Sequence, residues 1–509
     1  MFFGFDCYVQ NEKSISEVID GQQRLTTLML ILRAFYDKFA NMQDRNSKLT
    51  REMIEKCIWK TDTFGTADKN NLKINSEVAT DKDKEEFLEL LKTGEFDSNS
   101  KSKYVVNYRF FKRKIDEFLN EFPSFFPYLP ARILNNCILL PIEAESQDTA
   151  LRIFSTLNDR GLPLSDADIF KAQFYKYYGI LNKKDEFIEN WKWLEDKTGN
   201  AFKSVSNAPM DELFTRYMYF LRAKEGNRRT TTDALRRFFE RDKYKYLNQD
   251  HTIPDLMQLA SFWMDISTQN EDKFTIDVLK KLFVLSYAPN GMWQQVTSVY
   301  FLQNRDSDGN IDNDRFYEFL NKITHFIFAY AITNPGVNAL RTPIYDEMVN
   351  IIHNEPVTFS KFRFSETQLR TLLQTYEFTN QRAITRSLIT WYAYSFPEQK
   401  LMSLYETFQL EHIYAKKRQQ VEHSLKDERS IDALGNKILL ESVINIRASD
   451  YHFVDKKKIY SGDHNKLSHV YEISEIIKLD KFDEDAIKNR TNVIIDKFIL
   501  GLKNEKLIM

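Results

Sequence analysis

Residues 408–460 read FQLEHIYAKKRQQVEHSLKDERSIDALGNKILLESVINIRASDYHFVDKKKIY, and their order decides the fold of the C-terminal region. A short apolar run closes on a charged pair, Glu411 and His412. Gly435-Asn436 then marks a turn, and Lys437 to Leu440 reads as a strand returning along the first. Glu441 to Ile446, which carries Asn445, can open a helix. The predicted order is strand, hairpin strand, helix. Each piece alone is weak, because a lone histidine is usually a satisfied surface or core residue and LGN is a common turn. Their joint order and spacing carry the reading.

That order is the ββα-metal arrangement. Phosphodiester hydrolysis needs an activated water, a Lewis acid on the phosphate oxygens and a group that orients the base. His412, an imidazole of ordinary pKa about 6.5, can take a proton from water at neutral pH. Asn445 offers an oxygen ligand suited to Mg²⁺ or Mn²⁺, Glu411 offers a second, and Asn436 is expected to hold the His412 ring in one orientation. His423 and His452 are read as surface histidines. Charge runs are usually solvated faces. Beside this site, however, Lys416, Lys417, Arg418, Lys457 and Lys458 are expected to contact DNA phosphates, giving affinity and salt dependence without sequence information.

The segments LEHIYAKK, ALGNKILLESVINIR and KKKIY, with Arg490 in AIKNRTNVIIDKF, make residues 401–509 resemble the C-terminal HNH domain of the GmrSD-type, modification-dependent (type IV) restriction endonucleases. The resemblance implies that His412 is the catalytic histidine, Asn445 a metal-ligating position and Glu411 the acidic residue before the histidine. The family usually has a Pro after the His-Ile pair, where this chain has Tyr414-Ala415.

Near the N-terminus, EVIDGQQRLTTL (Glu17 to Leu28) reads as a short extended segment, a turn at Asp20-Gly21 and a helix with Leu25, Leu28, Met29, Leu32 and Phe35 on its apolar face. Gly21 permits close backbone approach, Gln22 and Gln23 present amides, and Arg24 offers a fork for a phosphate at a helix N-terminus. The equal alternative is a capped turn with Gln and Arg decorating it. The segment resembles the DGQQR signature of the ParB/sulfiredoxin-like domain that precedes the HNH domain in the same family. IFSTLNDRGLPLSDADIFKA is a further match, and Asn107-Tyr108 a weaker one. The resemblance implies nucleotide hydrolysis, with GTP the usual nucleotide, that licenses cleavage. It also implies an orienting role for Asp20 and a shared pocket with Asn158 and Arg160. Family members carry a further Tyr-Gln-Arg segment before the first strand, whereas this chain begins at MFFG, so part of that domain is expected to be missing or completed by a partner subunit.

The composition, 42% hydrophobic and 28% charged with 14 Gly and 12 Pro, fits an ordered, helix-rich protein. Cys7, Cys57 and Cys137 form no CxxC pair, which excludes a disulfide framework and a cysteine zinc site. With no signal peptide or long apolar run, a soluble cytoplasmic protein is expected. The net charge of −2 leaves nucleic-acid contact to local basic patches. The expected fold class is α+β and predominantly helical: a partial ParB/sulfiredoxin-like domain at 1–180, a helical middle at 181–400 and a ββα-metal nuclease domain at 401–509. Asn41 to Ser102 is polar with short apolar islands and is expected to include mobile loops, Ile133 to Ile142 is expected to be a strand, and Ser165 or Asp166 a helix cap. In GNRRTTTDALRRFFERDKYKY a solvated basic face beside Phe238 and Phe239 is preferred over a DNA-backbone contact. The expected activity is Mg²⁺-dependent, nucleotide-regulated cleavage of modified phage DNA in a restriction system. The alternatives are a non-catalytic nucleotide- or DNA-binding regulator with a degenerate HNH fold, and an RNA-directed nuclease using the same site. A homo-oligomer is compatible with each.

Overall fold

The computed structural model describes residues 2–10, 16–18, 21–75, 81–126, 128–144, 149, 165–203, 205–231, 234–336, 338–462 and 467–509. The chain divides into two compact units, Met1–Leu164 and Ser165–Met509. In the first unit the described strands are β1 (Phe2–Gln10), β2 (Ser16–Val18), β3 (Trp59–Thr61), β4 (Ala67–Leu72) and β5 (Ile138–Glu143). β1 lies between β2, antiparallel to it, and β5, parallel to it. A parallel pair needs a long crossover, which the intervening helices supply.

The expected strand, turn and helix appear as β2, Gly21 and the helix Gln22–Phe39. Gly21 has φ +91, a conformation that a Cβ would penalise. Leu30, Phe35 and Phe39 from this helix pack with Ile54, Ile58, Phe87, Leu90 and Tyr108. Asn41 to Ser102 contains, besides loops, the helices Arg45–Ile58 and Asp81–Thr93 and the β3–β4 ribbon, which were not read from sequence. Its sparse apolar residues recur at helical spacing and bury one stripe, which suffices for a helix whose other faces are polar. Ile133 to Ile142 is not one strand, because the helix Tyr128–Asn136 ends just before β5 begins.

The second unit is a succession of helices from Asp166–Ile180 to Ala383–Ala393, followed by β6 (Phe408–His412), β7 (Lys437–Glu441) and the helices Ser442–Ala448 and Glu484–Asn504. Ser165 caps the first of these, its side chain accepting from the Asp168 N–H. One hydrophobic core runs from Ala167 to Leu507, so the helical region and the β6–β7 ribbon are packed on shared side chains. Within it Arg216 is fully buried, its guanidinium 4.3 Å from the Phe202 ring and 3.9 Å from the Trp263 ring and paired with Glu212 at 3.0 Å. That contact offsets the desolvation of a buried charge. Arg228, Arg236 and Arg241 pair with Asp346, Asp166 and Glu225, while Phe238 and Phe239 are buried. No described helix is long and apolar enough to cross a membrane.

Candidate active site

β6 and β7 pair antiparallel in the register Phe408↔Glu441, Leu410↔Leu439 and His412↔Lys437, and the helix Ser442–Ala448 follows β7 directly. The connection between the strands is not a tight hairpin: it contains the helix Lys416–Glu422 and two 3-10 turns, the second being Leu434–Asn436. Gly435 is required there for close approach rather than turn freedom, since a Cβ on it would stand 2.0 Å from the Ile487 carbonyl oxygen. The Arg490 guanidinium donates to the carbonyls of Leu434, Gly435 and Lys437 at 3.2, 2.8 and 2.7 Å and is anchored on Glu472.

Asn436 does not hold the His412 ring, as expected from sequence; it holds the backbone that follows it. Its Oδ1 accepts from the Tyr414 N–H at 2.8 Å, and its Nδ2 donates to the carbonyls of Tyr414 and Ile431, both at 3.0 Å. A fully buried amide can satisfy all of these only if the loop is fixed. Ala415, the residue after Tyr414, has φ −69 and caps the helix Lys416–Glu422, so this clamp fixes the approach to that helix.

Alternation along β6 sends His412 and Glu411 to opposite faces. On one face His412 Nε2 lies 3.4 Å from Asp432 Oδ1 and contacts Lys437 Nζ. Burial lowers the His412 imidazole below its ordinary value, against the pull of the Asp432 carboxylate beside it, so the ring is neutral at pH 7. Its contacts with His412 and with Lys437 hold Asp432 far below the usual carboxylate range, and burial pushes Lys437 down to about 8.

On the other face Glu411 Oε1 accepts from Lys456 Nζ and from the Tyr460 hydroxyl at 3.0 Å. Burial raises the Glu411 carboxyl, and the Lys456 ammonium opposes that. Gln409 shares this face, and its Oε1 accepts from Asn445 Nδ2 at 2.6 Å. Asn445 Oδ1 is buried and has no hydrogen-bond partner among the described residues. At the far end of the ribbon Glu406, Glu441 and His469 converge, and the Glu441 carboxylate accepts from Ser468 Oγ and the His469 N–H.

Comparison with known families decides what this arrangement belongs to. The family model described as GmrSD restriction endonuclease, N-terminal domain, matches residues 2–175, and that described as GmrSD restriction endonucleases, C-terminal domain, matches residues 359–497. The chain belongs to the GmrSD restriction endonuclease family. A search of the curated proteins finds no match. Both domains of a GmrSD restriction endonuclease are thus present in order, and the chain is a restriction nuclease that acts on DNA.

In this GmrSD chain Gly21, Gln22, Gln23 and Arg24 open the helix Gln22–Phe39, and Gln22 Nε2 donates to the Val18 carbonyl at 2.8 Å. Asp20, Asn158 and Arg160, expected in the same pocket, lie outside the described residues. Tyr108, in the weaker N-terminal match, is buried and donates to Asp37, which pairs with Arg33 at 2.9 Å, so it joins two helices. Of the basic residues near His412, Lys416, Lys417 and Lys458 are exposed. Arg418 donates to the Asp450 carbonyl and pairs with Glu422, and Lys457 donates to the Leu479 carbonyl. Lys456, within the same run, is buried on Glu411. His423 and His452 are exposed. Asp432, Lys437, Asn380, Gln409 and Tyr460 were not singled out from sequence, and Lys456 was read there only as part of the basic run Lys456-Lys457-Lys458 beside the site. The available signal was a lysine heading an otherwise apolar run, Lys437-Ile438-Leu439-Leu440, because a charge in a buried strand must find partners.

Proposed function

We propose that this chain is a Mg²⁺-dependent (or Mn²⁺-dependent) DNA endonuclease of the HNH, ββα-metal type, directed at modified phage DNA. The observation that carries the reading is Asn445 Oδ1, a buried oxygen with no hydrogen-bond partner among the described residues, on the helix that directly follows the His412 ribbon. A buried acceptor left unpaired costs about 1–3 kcal/mol unless something binds it. Asn445 and Glu411 would hold the cation, with Gln409 fixing the Asn445 amide; the ion supplies Lewis-acid stabilisation to the phosphate oxygens. His412, neutral at pH 7, takes the proton of the attacking water, and Asn436 fixes the loop on which its position depends. Lys416, Lys417 and Lys458 are exposed and suited to contact the DNA backbone, with Arg418 and Lys457 nearby.

Nucleotide regulation belongs to the same proposal. Gly21 in its left-handed conformation and Arg24 in the first helical turn suit a phosphate, and GTP or another nucleotide bound there would license cleavage. The second reading, a non-catalytic regulator, is favoured by Lys456 and Tyr460, which already engage the Glu411 carboxylate. Incubation of unmodified plasmid and modified phage DNA with Mg²⁺ separates the two. His412→Ala should lower cleavage by at least about 10²-fold, and equal cutting by wild type and variant would refute the site.

A further inference from the structure

Lys437 heads β7, faces His412 across the ribbon and has a fully buried side chain. An ammonium carries three N–H donors and no acceptor. Lys437 Nζ lies 3.0 Å from Asn380 Oδ1 and 2.6 Å from Asp432 Oδ1, and it contacts His412 Nε2. Three donors meet three acceptors, so Nε2 receives a hydrogen bond and carries no proton, which leaves the ring's one proton on Nδ1 and Asp432 bonded by Lys437 rather than by the ring. The lone pair with which His412 would take a proton is therefore occupied.

We propose that Lys437 caps the basic nitrogen of His412, held in place by Asp432 and Asn380, and that the nuclease becomes active when this ammonium is withdrawn. The proposal rests on the reading of His412 as the base. Asn380 lies outside the ribbon, between the helices Glu366–Thr375 and Ala383–Ala393, and its Nδ2 also donates to the Leu410 carbonyl of β6 at 3.0 Å. Arg386 from the second of those helices donates to the Phe408 carbonyl. The cap is thus anchored in the helical region, so a rearrangement there has a direct route to the catalytic ring. Once Lys437 is withdrawn, Asp432 Oδ1, 3.4 Å from Nε2, is the remaining acceptor. The ring proton then moves through solvent from Nδ1 to Nε2 with no net gain or loss, and the lone pair is freed on Nδ1.

Lys437→Met keeps the stem and removes the donors. In the full chain with Mg²⁺, on unmodified plasmid and modified phage DNA, it should cleave at least tenfold faster than wild type. In ¹⁵N-histidine-labelled protein the His412 signals, assigned by their loss in His412→Gln, should change from the Nδ1–H to the Nε2–H pattern. A folded Lys437→Met protein with an unchanged His412 tautomer overturns the cap. So does one whose tautomer moves while cleavage stays at or below a measurable wild-type rate. If the tautomer moves and neither protein cuts, the cap stands and the nuclease reading fails. Should Lys437→Met not fold, Asn380→Ala decides: it loosens the same ammonium and should raise cleavage several-fold, and an unchanged rate and tautomer overturn the proposal.

Discussion

Asn436 satisfies the N–H and carbonyl of Tyr414 and the carbonyl of Ile431 with one side chain. Asn436→Ala leaves these groups buried and unpaired, so a loss of about 2–4 kcal/mol in urea unfolding is expected, together with a fall in cleavage because the His412 loop is released. Asn445 acts differently: its Nδ2 donates to Gln409, and its buried Oδ1, without a hydrogen-bond partner among the described residues, is the oxygen proposed to take the cation. Asn445→Ala should weaken Mn²⁺ binding at least tenfold in calorimetry with little change in stability, and unchanged affinity would place the metal elsewhere. His325 is a buried imidazole whose Nδ1 donates to the Asn321 carbonyl, and burial, with Lys281 nearby, pushes it down to about 3. The folded state therefore refuses a proton that the unfolded chain accepts below about pH 6.5. Stability is full above that pH and falls on acidification towards about 3, by up to about 1.4 kcal/mol per pH unit from this group. Glu505 faces Lys281 and pairs with Lys322 at 3.8 Å, so His325→Leu is the control that isolates the imidazole: its stability should decline less steeply between pH 6 and 4.

At the scale of elements, the helix Glu484–Asn504 holds the site from behind. Arg490 cradles the turn before β7, Thr491 Oγ1 accepts from the Gly435 N–H at 3.0 Å, and Gly501 lies against His325 of the helix Asn313–Thr333. Glycine is needed at both contacts. A Cβ at 435 would meet the Ile487 carbonyl at 2.0 Å, and one at 501 would meet His325 Nε2 at 2.3 Å. Gly501→Ala should cost about 1–3 kcal/mol, and Gly435→Ala more, because backbone cannot yield as a side chain can. Thermal melts that place Gly435→Ala at or above Gly501→Ala would show that this helix tolerates displacement from the turn. Exposed Lys416 and Lys417 precede the other connecting turn. Replacing both with Ala should lower the slope of log affinity for DNA against log salt by about 1 per lysine lost.

Over the whole molecule, residues Ser165–Met509 fold round one core, and the ribbon's outer edge is bonded by Asn380 and Arg386 from the helical region. A fragment of residues 401–509 should therefore lack dispersed NMR signals and a cooperative melt, since it loses the partners of Phe408 and of helix Glu484–Asn504. The local order of strand, strand and helix, the strand–Gly21–helix unit and the Ser165 cap were legible because each depends on neighbours in sequence: alternation, a residue that tolerates positive φ, a hydroxyl beside free N–H groups. The family signatures at both ends were legible for the same reason. What the tertiary structure alone decided is where the polar atoms of those signatures point. Asn436 turned from the ring to the backbone, Lys456 left the basic run to meet Glu411, and Lys437 met His412, Asp432 and Asn380. Spacing along a chain sets which face a residue occupies, but a buried charge takes the partners that packing brings to it, and these come from segments far away in sequence.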